Sequence, residues 1–228
     1  MSFTKSETVV WAIVGAVLIG VLALAFVAGR DAPKAPAKTP GPPPAAETES
    51  AGIAPVKKSE LLPVPPGELG SHPVVERSGR AMNTSELRGK LVVADFIFTS
   101  CGGTCPSMAA EMVRLQKAIG AANDVRLVSF SVDPDRDSVA VLAEYAARYG
   151  ADKDRWLFLR SEKPVIQEIA YDRLKLVKSR EELIMHSSKF ALLDREGFVR
   201  AYYSPLSDDK WLTKMLSDLD TLRAEPAR

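Results

Sequence analysis

Residues 95–108 read DFIFTSCGGTCPSM and hold both cysteines of the chain, Cys101 and Cys105. The residues leading into them, Leu91 to Phe98 (LVVADFIF), are apolar, β-branched and aromatic, which is the composition of a buried strand. The residues that follow, Ser107 to Ile119, place Met108, Met112, Leu115 and Ile119 at helical spacing on one side. The cysteines are therefore expected where a buried strand turns into a helix. A thiol at a helix N-terminus feels the positive end of the backbone dipole, which favours the thiolate, the form that attacks disulfides and binds metals. Gly102 and Gly103 between the two cysteines let the loop bend so that both sulfurs face one spot.

A purely structural disulfide is the plainer reading of this pair. Closing so short a loop stabilises a fold by only ~2 kcal/mol in the chain-entropy picture. A chain of 228 residues does not depend on such a staple. Redox or metal chemistry is the stronger expectation.

Outward from this stretch, strand and helix patterns alternate. A short β segment is expected around His72 to Met82, before the strand at Leu91 to Phe98. After the cysteine helix, Val125 to Val132 (VRLVSFSV) reads as a second buried strand. Asp137 or Ser138 is placed to cap a helix carrying Val139, Leu142, Tyr145 and Ala146. Trp156 to Leu159 is a third strand, followed by a helix from Pro164 to about Tyr171. Phe190 to Leu193 and Phe198 to Tyr203, joined by the turn Asp194 to Gly197, form a hairpin. Ser207 to Asp209 start a last amphipathic helix with Trp211, Leu212, Met215, Leu216, Leu219 and Leu222. The fold class expected is α/β, a sandwich with a central mixed sheet. Its element order, with a cysteine pair after the central strand, is similar to a thioredoxin fold.

The N-terminal part differs in kind. Val9 to Gly29 (VVWAIVGAVLIGVLALAFVAG) carries no charge and is long enough to cross a bilayer core of ~30 Å at ~1.5 Å per residue. It exceeds the roughly 7 to 15 apolar residues of a cleaved signal peptide, so an uncleaved transmembrane anchor is expected. Lys5 precedes the run, whereas Arg30, Lys34 and Lys38 follow it, and loop charge alone would keep the body of the protein in the cytoplasm. Residues 30–66 are rich in proline and alanine and read as a semi-extended linker. The division is a short tail (1–8), an anchor (9–29), a linker (30–66) and a folded domain (67–228). With 30 basic and 29 acidic residues, nothing in the charge suggests a nucleic-acid partner.

One further donor is His186, in Leu183 to Asp194 (LIMHSSKFALLD), just ahead of the hairpin. In a thioredoxin-like topology the segment entering the hairpin lies against the cysteine turn, which would bring an imidazole toward the sulfurs. His72, beside Pro73 and close to the linker, is expected at the surface. Two thiolates and an imidazole suit Cu(I) and Cu(II), and zinc accepts the same donors. Met108, Met112 and Met185 are soft donors too, although methionines at helical spacing are ordinary core filler.

Three motifs together carry a family resemblance. They are FTSCGGTCP (residues 98–106), SVDPDRD (131–137) and His186 ahead of FALLDREG (190–197). In this order, within His72 to Lys214, they resemble the Sco/SenC family of membrane-anchored, thioredoxin-like copper chaperones for cytochrome c oxidase assembly. The resemblance implies copper as cargo, Cys101, Cys105 and His186 as its ligands, and the copper-site subunit of the oxidase as partner. It also implies a Cys101–Cys105 disulfide when oxidised, and a domain facing the periplasm or an equivalent non-cytoplasmic space. Long domains translocate largely regardless of nearby charge, which removes the conflict with the loop count. Many members carry proline after the first cysteine, where this chain has Gly102. Asp133 and Asp137 have an ordinary reading, an Asp-Pro turn and a helix cap, and by similarity a second one, support of the site or partner docking.

Two functions of different classes follow. In one the domain is a metal carrier that passes copper on by ligand exchange. In the other it is a thiol-disulfide oxidoreductase in which one cysteine attacks and the other resolves the mixed disulfide. Both need reduced thiols in an oxidising space, so a separate thioredoxin-like reductant is implied.

Overall fold

Strands and helices alternate along the folded part of the chain in the order β1 (Pro73–Glu76), β2 (Ala81–Asn83), β3 (Leu91–Ile97), α1 (Cys105–Ala118), β4 (Val125–Ser131), α2 (Val139–Arg148), β5 (Trp156–Arg160), α3 (Lys163–Gln167), a π-helical turn (Glu168–Arg173), β6 (Phe190–Leu193), β7 (Val199–Tyr203) and α4 (Trp211–Ala224). These come from a computed structural model that describes residues 61–62, 65–177 and 188–226, within a unit running Pro40–Arg228. The expected anchor at 9–29, most of the linker, Met185 and His186 lie outside the described residues. Among the described residues no helix is long and apolar enough to cross a membrane.

The sheet is mixed and runs β2-β1-β5-β4-β3-β6-β7. β3 pairs in parallel with β4 and antiparallel with β6, so it has partners on both edges. All seven of its residues are buried, which is why LVVADFI reads as one apolar run rather than an alternating one. Side-chain alternation still sorts it. Leu91, Val93 and Ile97 face a core shared with α1, α2 and α4, while Val92, Ala94 and Phe96 face a second core with the π-helical turn. The expected helix from Pro164 divides into one α-helical turn and a π-helical turn, with Ile166 on the first and Ile169 and Ala170 on the second packed against the sheet. The hairpin turn uses Gly197 at φ 92, a conformation open to glycine, and Gly197 N–H closes onto Asp194 O at 3.0 Å.

This topology sets the ends of the sheet. Because β6 runs antiparallel to β3, with Ala94 opposite Ala191 and Val92 opposite Leu193, its first residue, Phe190, lies toward the C-terminal end of β3. That is the end from which the cysteine loop departs. The hairpin turn lies at the other end, where Leu69 N–H donates to Gly197 O at 2.9 Å and ties down the chain entering the domain.

His72 departs from expectation. It is 6% exposed rather than on the surface, with its Nδ1 4.0 Å from Glu168 Oε2. Its main chain exchanges hydrogen bonds with Thr84, which draws the segment into the junction of β1 with the 3-10 turn Thr84–Leu87. The local signal, a histidine before a proline near a linker, could not show that contact.

Candidate metal and redox site

The turn after β3 is short and held at both ends. Cys101 N–H donates to Phe98 O at 3.1 Å, and α1 begins at Cys105 itself, with Pro106 in its first turn and Met108 N–H bonded to Thr104 O. Gly103 N–H reaches Cys101 Sγ at 3.4 Å. Neither Gly102 nor Gly103 adopts positive φ, and a Cβ built on Gly102 meets nothing within 4 Å. The loop therefore does not need glycine at 102 for its path, since neither a positive φ nor a close approach requires it.

Both cysteines are present as thiols, each 4% exposed. The helix dipole led to the expectation of an acidified thiol, but burial reverses this for Cys105. Its thiol is pushed up to about 12, first by loss of solvent and further by the neighbouring Cys101, against a main-chain hydrogen bond from Phe98 that pulls the other way. Helix-terminus effects are modest, whereas removal of water from a developing thiolate is not. Consequently, in a Cys101→Ser variant at pH 8, Cys105 should react with iodoacetamide at least ~100-fold more slowly folded than in urea, since only the thiolate reacts. Equal rates, followed by mass spectrometry, would contradict the buried-thiol picture.

The two aspartates separate. Asp133 makes the turn that was expected: its carbonyl accepts from Arg136 N–H at 3.1 Å and Asp137 N–H at 2.9 Å, and its carboxylate takes Arg136 Nε. Asp137 does not cap α2; Ser138 does, its hydroxyl accepting from Val141 N–H at 3.3 Å. Asp137 is instead fully buried and turned toward the cysteine loop. It accepts the Thr99 hydroxyl and the Ser131 hydroxyl, each at 2.5 Å, and Thr99 N–H at 3.2 Å.

A third acid escaped the sequence reading. Asp95 sits within β3 opposite Ser129, is 0% exposed, and neither carboxyl oxygen has a hydrogen-bond partner of regular geometry. Burial raises its carboxyl to about 7, the Ser129 hydroxyl offsetting only part of the cost. It belongs to the face that α1 covers, and its charge is felt at Cys105. The available signal was a lone carboxylate inside an otherwise apolar strand.

Met108 and Met112 are buried in the α1 core, as their spacing implied. Among the described residues no group of three or more His, Cys, Asp and Glu gathers to hold a metal. The described part of the site supplies two soft sulfur donors, at residues 101 and 105, both buried.

Comparison with known proteins adds to this geometry. The family model described as SCO1/SenC matches residues 67–220. The SCO1 protein homolog of Bacillus subtilis is 38% identical over 133 residues, which cover 56% of this chain and 69% of that protein. A solved structure of BsSco, described as a member of the Sco family of cytochrome c oxidase assembly proteins with a disulfide switch, superposes with a TM-score of 0.63 at 31% identity, over 74% of this chain and 100% of that one. Copper-bound yeast Sco1 shares the fold, with a TM-score of 0.55 at 22% identity over 72% of this chain and 95% of that one. The thioredoxin-like architecture, the cysteine pair at the mouth of α1 and the family match over residues 67–220 lead to one conclusion: this chain belongs to the SCO1/SenC family.

Proposed function

We propose that the protein is a copper carrier for cytochrome c oxidase assembly, holding copper with the thiolates of Cys101 and Cys105 and the imidazole of His186. The observation that carries this reading is the pair of buried, unbridged thiols delivered by one turn at the mouth of α1. Two buried thiolates fit Cu(I), and an added imidazole helps hold Cu(II). Support for His186 is topological: the chain enters β6 at the end of the sheet that carries the cysteines, and His186 precedes Phe190 by four positions. Copper is the cargo, taken up as the thiols lose their protons and passed to the copper-site subunit of the oxidase by exchange of ligands. The uncharged run at 9–29 would anchor the chain in the cytoplasmic membrane as a single span, with residues 30–66 as tether and the domain from residue 67 facing the periplasm or an equivalent space.

The second reading is thiol-disulfide exchange. One thiolate attacks a partner disulfide, the other resolves the mixed disulfide, and the partner leaves with two thiols while Cys101 and Cys105 become a disulfide. The adjacency of the two sulfurs favours it as much as it favours metal binding, and the disulfide switch described for BsSco concerns the same chemistry. A thioredoxin-like reductant would then restore the pair.

Equilibrium dialysis of the full-length protein separates these. Reduced protein should retain about one copper per chain, and protein oxidised to the Cys101–Cys105 disulfide should retain none. Failure of the reduced protein to hold either copper form overturns the carrier reading and leaves the exchanger.

A further inference from the structure

We propose that Asp137 is the positioning residue of this site: a buried carboxylate that clamps the start of the cysteine loop to the end of β4 and so sets where Cys101 stands relative to Cys105. The proposal rests on the reading that these two thiols are the working groups.

Asp137 is 0% exposed, and its hydrogen bonds run to uncharged donors on two neighbouring strand ends. Thr99, two positions before Cys101, gives it both a hydroxyl at 2.5 Å and a main-chain N–H at 3.2 Å. Ser131, the last residue of β4, gives a hydroxyl at 2.5 Å and in turn accepts Asp133 N–H at 3.2 Å. Desolvating a carboxylate is costly unless such donors satisfy it, so the side chain holds both strand ends at a fixed separation. The ordinary task of an aspartate here, capping the next helix, is already done by Ser138.

The middle of the cysteine loop is open to solvent. Gly102 and Gly103 are exposed and nothing lies within 4 Å of a Cβ placed at Gly102. Cys101 donates its N–H to Phe98 O, and its sulfur accepts Gly103 N–H, both contacts lying inside the turn. Asp137 ties Thr99, at the start of that turn, to the end of β4 through a bond that spans 38 positions of sequence. Without it the turn moves as a unit and the two sulfurs lose their fixed relation, while the core is left intact.

The test compares Asp137→Ala, Asp137→Asn and Thr99→Val with wild type in the full-length protein. One readout is the equilibrium in which the dithiol and oxidised glutathione give the Cys101–Cys105 disulfide and two reduced glutathiones. The other is copper affinity by competition with a coloured Cu(I) chelator. Tyr203→Phe serves as control, since it removes another buried hydroxyl-to-carboxylate bond, 2.6 Å to Asp218, two strands away from β3. Asp137→Ala and Thr99→Val should each shift the glutathione constant about five-fold or more. Each should also weaken copper binding about ten-fold or more. Asp137→Asn, which keeps an acceptor for Thr99, should recover most of both, and Tyr203→Phe should move neither. Wild-type constants in folded Asp137→Ala overturn the proposal, as do equal shifts in Tyr203→Phe. If Asp137→Ala does not fold, the near-isosteric Thr99→Val decides by the same criteria. If wild type itself holds no copper, the carrier reading fails separately, and the glutathione constant alone decides the clamp.

Discussion

Replacing Asp95 by asparagine should raise the unfolding free energy at pH 8 by about 4 kcal/mol over wild type, and leave it nearly unchanged at pH 4. The carboxyl lies in the middle of a strand buried on both faces and is raised from 3.8 to about 7 by loss of solvent. In the unfolded chain it ionises near 3.8. Between those values the folded protein keeps a proton that the unfolded chain has released, so stability falls as pH rises through that window, by ~1.4 kcal/mol per unit, and is level above it. Asparagine has the same shape and no charge to expose, so its curve lacks this descent. Whatever an unpartnered buried polar group costs, the neutral acid and the amide share it. Urea unfolding of both proteins at pH 4, 6 and 8 makes the comparison, and every other titrating group cancels in the difference. Parallel curves would mean that Asp95 is solvated or paired in the folded state.

The second large effect is on metal binding. His186→Ala should weaken copper retention by about 100-fold or more, because one donor of three is lost from a site whose binding energy is the sum of few bonds. The same variant should exchange disulfides with glutathione at nearly the wild-type rate, since that reaction uses the two sulfurs alone. The two measurements move apart only if the imidazole is a ligand. If copper binding survives, the histidine is not a donor; if exchange collapses with it, the substitution has disturbed the cysteine loop itself.

The strand, turn and helix around the cysteines were legible because their signals are local. LVVADFIF is apolar without interruption but for Asp95, and Met108, Met112, Leu115 and Ile119 repeat at helical spacing. The mixed sheet followed from the alternation of such runs with helices. What was not legible depends on contacts between distant positions. A helix dipole at Cys105 can be read from sequence, but the depth at which the thiol is buried cannot, and depth decides its protonation. Asp137 stands where caps usually stand, and only the folded chain brings Thr99 to it. His72 is drawn inward by Thr84, twelve positions on. The π-helical turn after Gln167 has no composition that separates it from the α-helical turn before it.

The measurement that bears most directly on the central claim is X-ray absorption at the copper edge on the loaded, reduced protein. The account predicts a first shell of two sulfurs and one imidazole nitrogen, with the nitrogen absent in His186→Ala. A shell without sulfur, or one unchanged by removal of the histidine, would contradict it.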